Sequence, residues 1–453
     1  MSIENNFIDT IVALSTPRGS GGISIVRLSG QNSLKLAKKI TKKENLKPRF
    51  AHLCNLYDSS DEVIDEAIVI YFKNPNSFTG EDVVEFQTHG GDMVSSLIIE
   101  ECIKSGARLA NPGEFSKRAF INDKIDLTKA EAISALIDAK SKDAVKLLSK
   151  QLKGELKEFV EQIRDELVEI LAFIEVNIDY AEEDLPKDLE EQILEKLHNI
   201  SQKLSQTLLS SSLREGMIEG YKISIIGKPN VGKSTILNRL LSFDRAIISD
   251  IAGTTRDTIE ESLRVGTHLV KIVDTAGIRE GREEIEKIGI ERSIKSSHES
   301  DIILAVFDLS RPLDSEDEKI ISLLKELKDK EIIVVYNKSD KDSKEFDKSR
   351  LEHYKSLLFS KEKSIEDIVE SIKNILDKNN FDDGLVLISK RQVDAVKVAN
   401  EAIKESISNL EIEELELFAY NINDAISSIS SITKSFDRDE ILDKMFGSFC
   451  LGK

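Results

Sequence analysis

Basic charge is what this sequence lacks most: 63 Lys and Arg stand against 82 Asp and Glu, a net charge of -19. That excludes a protein that wraps nucleic acid over its whole surface, because phosphate binding needs clustered cations to release counterions. Any RNA contact is local or borrowed from a partner. The deficit is uneven, since residues 1–123 hold 14 Lys and Arg against 16 Asp and Glu and leave -17 for the rest of the chain. Cysteine is scarce as well. Cys54, Cys102 and Cys450 form no C-x-x-C pair, and an odd count with no signal peptide ahead of it points to a reducing, cytoplasmic setting. Core packing is the ordinary expectation for Cys54 and Cys102. No run approaches the apolar length of a membrane span. Seven prolines and no low-complexity tract, in a chain 40% hydrophobic and 32% charged, exclude a disordered protein. At 453 residues the chain is too long for one core, and about two to four domains are expected.

The closing stretch "FGSFCLGK" is no prenylation signal, because Gly452 and Lys453 break the pattern required after Cys450. No nearby His or Cys supplies a second metal ligand. Packing or a working thiol remains for Cys450.

Chemistry enters in the middle of the chain. "YKISIIGKPNVGKST" reads as a buried strand, Tyr221 to Ile226, running into G-x-x-x-x-G-K-[ST] at Gly227, Gly232, Lys233 and Ser234. This is a P-loop. Its glycines let backbone N–H groups face phosphates, Lys233 neutralises phosphate oxygens, and Ser234 offers a hydroxyl to Mg²⁺. Asn230 and Val231 complete the loop, and Thr235 lies in the first turn of a helix whose positive end faces the same anion. "LVKIVDTAG" is a second strand, ending in Asp274, Thr275 and Ala276, with Gly277 placed to give an N–H to the γ-phosphate. "EIIVVYNKSD" is a third, ending in Asn337, Lys338 and Asp340. All three motifs stand at strand ends, where an open α/β sheet binds ligands.

Asp340 selects the base. A carboxylate accepts from both N1–H and the 2-amino group of guanine, whereas adenine has neither donor. Asn337 can reach the base edge, and Lys338 can lie along the ring or brace the P-loop. Between P-loop and Asp274, "SDIAGTTRDT" occupies the place of a GTPase switch, with Ser249, Asp250, Ile251, Ala252, Gly253, Thr254 and Thr255 around the nucleotide and Thr255 as second hydroxyl ligand of Mg²⁺. Ile278 follows Gly277 where Ras-like GTPases carry the glutamine that orients water. Glu280, Glu283, Glu284 and Glu286 are the alternatives, and spacing does not rank them.

Residues 130–215 and 385–445 carry apolar residues at helical spacing, as in "EFVEQIRDELVEILAFIEVNI" and "QVDAVKVANEAIKESISNL". The simplest organisation is a GTPase domain inserted into one helical domain. Residues 1–123 alternate strand signals such as "GISIVRL" and "EAIVIYF" with helical stretches and turns, the pattern of a small α/β domain.

Taken together, "DTIVALSTPRGSGGISIVRLSG", "FTGEDVVEFQTHGG", "NPGEFSKRAFINDKIDLTKAEAISALIDA", "GKPNVGKST", "DIAGTTRDT", "DTAGIRE", "NKSD" and "FCLGK" resemble the tRNA-modification GTPase family MnmE. The resemblance implies a multidomain α/β and α protein: an α/β folate-binding and dimerisation domain over 1–123, a mainly helical domain split between 124–218 and 381–453, and a Ras-like P-loop GTPase inserted at 219–380. It further implies that a homodimer joins a flavin-dependent partner in a heterotetramer. There it adds a carboxymethylaminomethyl or aminomethyl group to C5 of the wobble uridine of certain tRNAs, using a one-carbon unit from 5-formyl- or methylene-tetrahydrofolate. By resemblance the folate contacts are Arg27, Glu85, Lys124 and Lys453; the K⁺ ligands are Asn230, Ser249, Ile251 and Thr254; and Glu286 orients the attacking water, joining Lys233 in catalysis. Cys450 then lies near the folate site, where a thiol can add to uracil C6, trap a one-carbon unit, or pack.

Two departures stand out. Ser249 replaces a threonine common in the family and keeps its hydroxyl. The "SAK" loop that helps hold guanine is only faintly echoed by "FSKEK", at Ser360 and Lys361, which shifts the weight of guanine binding onto Asp340. The competing reading is a GTPase switch for ribosome assembly without RNA chemistry; a folate enzyme acting on a small molecule is a third.

Overall fold

The computed structural model describes residues 9–179, 187–244, 261–273, 297–341, 346–378, 384–411 and 414–434, with 442, 445–447, 449 and 452. The chain divides into two compact units, one of Met1–Ser134, Gln151–Lys196 and Val398–Lys453, the other of Ala135–Lys150 and Leu197–Lys397.

The first unit is built on β1 (Ile11–Leu14), β2 (Ile23–Ser29), β3 (His52–Tyr57), β4 (Val63–Phe72), β5 (Val83–His89) and β6 (Arg108–Leu109), in the order β3-β4-β5-β2-β1-β6. Neighbours are antiparallel except β1 and β6. Alternation along each strand separates two faces. Val26, Leu28, Val84 and Phe86 turn to a core shared with Leu36 and Ile40 of α1 (Ser33–Thr41) and Ile98 and Cys102 of α2 (Asp92–Lys104). The opposite face carries Arg27 and Glu85, and Ile11 and Ala13 meet Phe115 of α3 (Glu114–Ile121).

Four helices follow: α4 (Leu127–Asp138), α5 (Lys142–Leu152), α6 (Glu155–Asp179) and α7 (Lys187–Glu219). Leu156, Val160, Ile163, Leu167, Ile170 and Ile174 of α6 are buried at the spacing of one helix face, as its sequence foretells.

In the second unit β7 (Tyr221–Ile226) leads into α8 (Lys233–Asp244), then β8 (Glu261–Val265), β9 (His268–Val273), β10 (Ile302–Asp308), α9 (Ser315–Glu326), β11 (Glu331–Asn337), β12 (Lys355–Leu358) and α10 (Glu366–Lys378). The sheet runs β12-β11-β10-β7-β9-β8 and is parallel except for the β8–β9 hairpin. Every residue of β10 is buried, because helices cover both faces: α8 and α10 on one, α9 on the other. The carboxyl ends of β7, β10 and β11 therefore open on one rim.

After α11 (Lys390–Glu411), helix α12 (Leu415–Ser430) packs along α6 and buries Phe418, Ile422, Ala425 and Ile429. The chain then returns to the first unit, where Leu442 and Phe446 join Leu127 and Ala130 in one apolar cluster. The Ser15 hydroxyl donates to the carbonyl of Gly452 at 3.1 Å, across 437 residues of sequence. Only glycine fits at 452: its φ is +90°, and a Cβ there would stand 2.1 Å from the Leu14 carbonyl oxygen. No helix among the described residues is long and apolar enough to cross a membrane.

Candidate functional site

The P-loop lies at the end of β7, where the expected spacing put it. Asn230 has a left-handed φ of 62° and Gly232 one of 102°. Lys233 opens α8, and its ammonium donates to the carbonyls of Gly227 (2.6 Å) and Lys228 (2.9 Å). Burial pulls this ammonium below the ordinary lysine range, with the charge of Glu316 opposing. Ser234 and Thr235 follow in the first turn, the Thr235 N–H donating to Gly232 O at 3.1 Å. This is a cradle shaped for an anion at a helix N-terminus.

Sequence reasoning passed over Lys228, the variable residue after Gly227. Its side chain is buried and its ammonium bonds Asp314 at 2.6 Å and also Asp317. Asp314 caps α9 in a reciprocal capping box with Asp317. The bond from Lys228 holds the Asp314 carboxyl down at about 2, with the α9 N–H groups adding to it. The only sequence signal was the D-x-x-D opening a helix.

The residues expected to face guanine follow at the end of β11. The Asn337 amide Nδ2 donates to the Val231 carbonyl at 2.6 Å, and its Oδ1 accepts from the Lys338 N–H at 2.8 Å. The residue is buried beneath Gly232 and thus ties the guanine motif to the P-loop. The Lys338 ammonium bonds Asp308, at the end of the adjacent β10, at 2.6 Å. Burial opposes ionisation of Asp308, and the hydrogen bonds from Lys338 and Ser310 with the Lys338 charge together outweigh it, so the carboxyl lies below its ordinary range. Asp340 is exposed on the rim, and the Ser339 N–H donates to Phe359 O at 3.1 Å, which sets Ser360 and Lys361 beside it.

In the first unit Arg27 and Glu85 are cross-strand partners on β2 and β5. The guanidinium donates to Glu85 Oε1 through Nε (3.0 Å) and Nη2 (2.8 Å), and lies 5.8 Å from the Phe78 ring and 5.7 Å from that of Phe115. The Lys124 side chain runs along Gly80, where an added Cβ would meet its Cε at 3.0 Å. Two cations, a carboxylate and two aromatic faces suit a flat heterocycle with donors and a carboxylate tail. Nearby, and unforeseen, Arg118 is fully buried, its guanidinium bonding Glu81 (3.1 Å), Asp9 (2.8 Å) and Glu114 (3.0 Å). Only the i,i+4 spacing of Glu114 and Arg118 hinted at it.

Ser249, Asp250, Ile251, Ala252, Gly253, Thr254, Thr255, Asp274, Thr275, Ala276, Gly277, Glu286, Cys450 and Lys453 lie outside the described residues. Cys54 and Cys102 are buried, and burial pushes both thiols up, as inert core residues.

Residues 10–124 match the family model described as GTP-binding protein TrmE N-terminus, and residues 127–450 that of the MnmE helical domain. The tRNA modification GTPase MnmE of Aliarcobacter butzleri is 60% identical over 98% of this chain and 99% of its own length. That of Sulfurimonas denitrificans is 55% identical over the same shares. A solved structure, Era in complex with MgGDPNP and nucleotides of 16S ribosomal RNA, is 29% identical over 40% of this chain and 66% of its own, with a TM-score of 0.26.

Proposed function

Because this chain belongs to the tRNA modification GTPase MnmE family, and so is a GTPase of tRNA modification, we propose that it builds the C5 substituent of wobble uridine together with a flavin-dependent partner. The one-carbon unit comes from a tetrahydrofolate derivative held by Arg27, Glu85 and Lys124 on the first sheet, with Lys453 closing the site. In this reading residues 1–123 serve folate and dimerisation, 124–218 with 381–453 are helical, and 219–380 bind GTP. What supports this most directly is the Arg27–Glu85 pair beneath two phenylalanine rings, a site for which a bare switch GTPase has no use.

In the GTPase cycle each residue has a defined task. Lys233 transfers its hydrogen bonds from the loop carbonyls to phosphate oxygens, Ser234 and Thr255 hold Mg²⁺, and Glu286 orients the water that attacks the γ-phosphorus. Asn230, Ser249, Ile251 and Thr254 hold K⁺, which supplies positive charge beside the phosphates. Asp340 reads guanine.

Wobble-nucleoside analysis of a strain lacking this protein tests the assignment. Loss of the C5 substituent, restored by the wild-type chain and not by Glu286→Ala, is expected. An intact wobble nucleoside would leave a GTPase without RNA chemistry, such as a ribosome-assembly switch. Separately, GTP turnover by the purified protein is expected to run at least about tenfold faster in K⁺ than in Na⁺ at equal ionic strength, and Asn230→Ala is expected to erase the difference. Equal rates in the two salts would remove K⁺ from the site.

A further inference from the structure

Guanine offers a protein two kinds of edge: N1–H and the 2-amino group donate, and O6 accepts. Asp340 serves the first, and as a carboxylate it repels the second. A donor for O6 has to come from elsewhere, and the turn after β12 is the piece of chain stitched to the Asp340 motif. Phe359 N–H donates to Tyr336 O at 2.9 Å, Ser339 N–H donates to Phe359 O at 3.1 Å, and Lys363 N–H closes the turn on Ser360 O at 3.3 Å. Ser360 is buried. The N–H groups of Ser360, Lys361 and Glu362 have no protein acceptor among the described residues.

One side chain from outside grips this turn. Arg239 of α8 donates through Nη1 to Lys363 O at 2.5 Å and through Nη2 to Lys361 O, while its guanidinium lies over the Phe359 ring, 5.5 Å from the centroid. A planar fork on two carbonyls fixes two peptide planes at once. Since C=O and N–H of one trans peptide point in opposite directions, the fork also fixes where the Glu362 and Ser364 N–H groups aim, while the bonds on Phe359 O and Ser360 O fix those of Ser360 and Lys361. A turn whose sequence barely echoes the usual guanine loop is thereby held by an arginine 122 residues upstream.

We propose that Arg239 is a positioning residue that sets recognition of guanine O6, by holding the Ser360–Lys363 turn with its N–H donors on the base. The inference rests on the placement of guanine against Asp340 put forward above. It assigns guanine selectivity to two separable elements: Asp340 reads the N1 and N2 side, and the arginine-held turn reads O6.

Three diphosphates separate them, bound to the full-length protein at equilibrium: GDP, IDP, which lacks the 2-amino group, and 6-thio-GDP, whose sulfur is a poor acceptor in place of O6. The wild type is expected to prefer GDP over each analogue by about tenfold, one hydrogen bond's worth. In Arg239→Met the preference over 6-thio-GDP should collapse to about one while the preference over IDP stays. Arg239→Lys, which keeps the charge and loses the fork, should collapse the same ratio. Overturning results are a 6-thio-GDP preference unchanged in both variants, or absent from the wild type, or lost only in step with the IDP preference, as in a merely loosened domain. A wild type that binds IDP as well as GDP would instead refute the placement against Asp340, and it is read before any variant is made.

Discussion

Replacing Gly232 with alanine is expected to lower guanine-nucleotide affinity by on the order of 10³-fold and to abolish turnover at cellular GTP levels. Gly232 has a φ of 102°, and a Cβ built on it would stand 2.1 Å from the Asn337 amide nitrogen. The clash has two outlets, and both damage the site. If the loop moves, it leaves a backbone conformation in which its N–H groups converge; forcing alanine to keep that conformation costs roughly 1–3 kcal/mol. If Asn337 moves, the 2.6 Å bond to Val231 O is lost, and a buried amide is left unpaired at roughly another 1–3 kcal/mol. The pairing also predicts partial rescue, since Asn337→Ala removes the obstructing amide. Calorimetric titration with GDP measures all three proteins. Wild-type affinity in Gly232→Ala would show that the P-loop and the guanine motif are not packed as the structure has them.

Replacing Arg118 with methionine is expected to destabilise the first unit by roughly 3–5 kcal/mol, the usual cost of removing one partner from a buried charge cluster. Arg108 still holds Asp9 and Glu114, bonding each at 2.6 Å. The loss therefore falls mainly on Glu81, whose remaining side-chain partner is the Ser29 hydroxyl at 2.6 Å. Glu81→Gln in the same chain should recover part of the cost, which a double-mutant cycle reads as coupling. Acid sensitivity gives a second readout. Burial alone would raise the carboxyls of Asp9 and Glu114, but the hydrogen bonds from Arg108, with those from Arg118, hold both below their ordinary values. The folded protein thus binds fewer protons than the unfolded chain. The stability so gained is fully present above about pH 4 to 4.5, the unfolded carboxyl range, and is lost as pH falls through the folded values. Arg118→Met should flatten that decline. A melting temperature within a degree or two of wild type would show that the cluster contributes nothing net.

How much of this was legible depended on how far each partner lies along the chain. The P-loop and the strand ending at Asn337 were readable because their geometry is local: a strand, a glycine turn and a helix start within about fifteen residues. The helices over Glu155–Asp179 and Lys390–Glu411 declared themselves by periodicity. The role of Asn337 did not, since its partner Val231 is 106 residues away and no spacing rule joins them. Lys228 and Arg118 look like solvated charges in sequence; only the fold supplies the carboxylates that bury them. Arg27 and Glu85 stood in between: the family resemblance singled out each, and only their register, 58 residues apart, made them a pair.

The Ser15–Gly452 bond also sets a timetable. A ribosome adding about 5–20 residues per second needs roughly 20–90 s to travel from the first of these residues to the second. For most of that interval the opening sheet, complete by Leu109, has been made, while the segment that covers Leu127 and Ala130 has not. The second unit, nearly continuous from Leu197 to Lys397, finishes first despite coming later in the message. The two units are thus completed in the reverse of the order in which they begin, and a chain stopped a few dozen residues short holds every residue of the second unit while lacking the segment that closes the first.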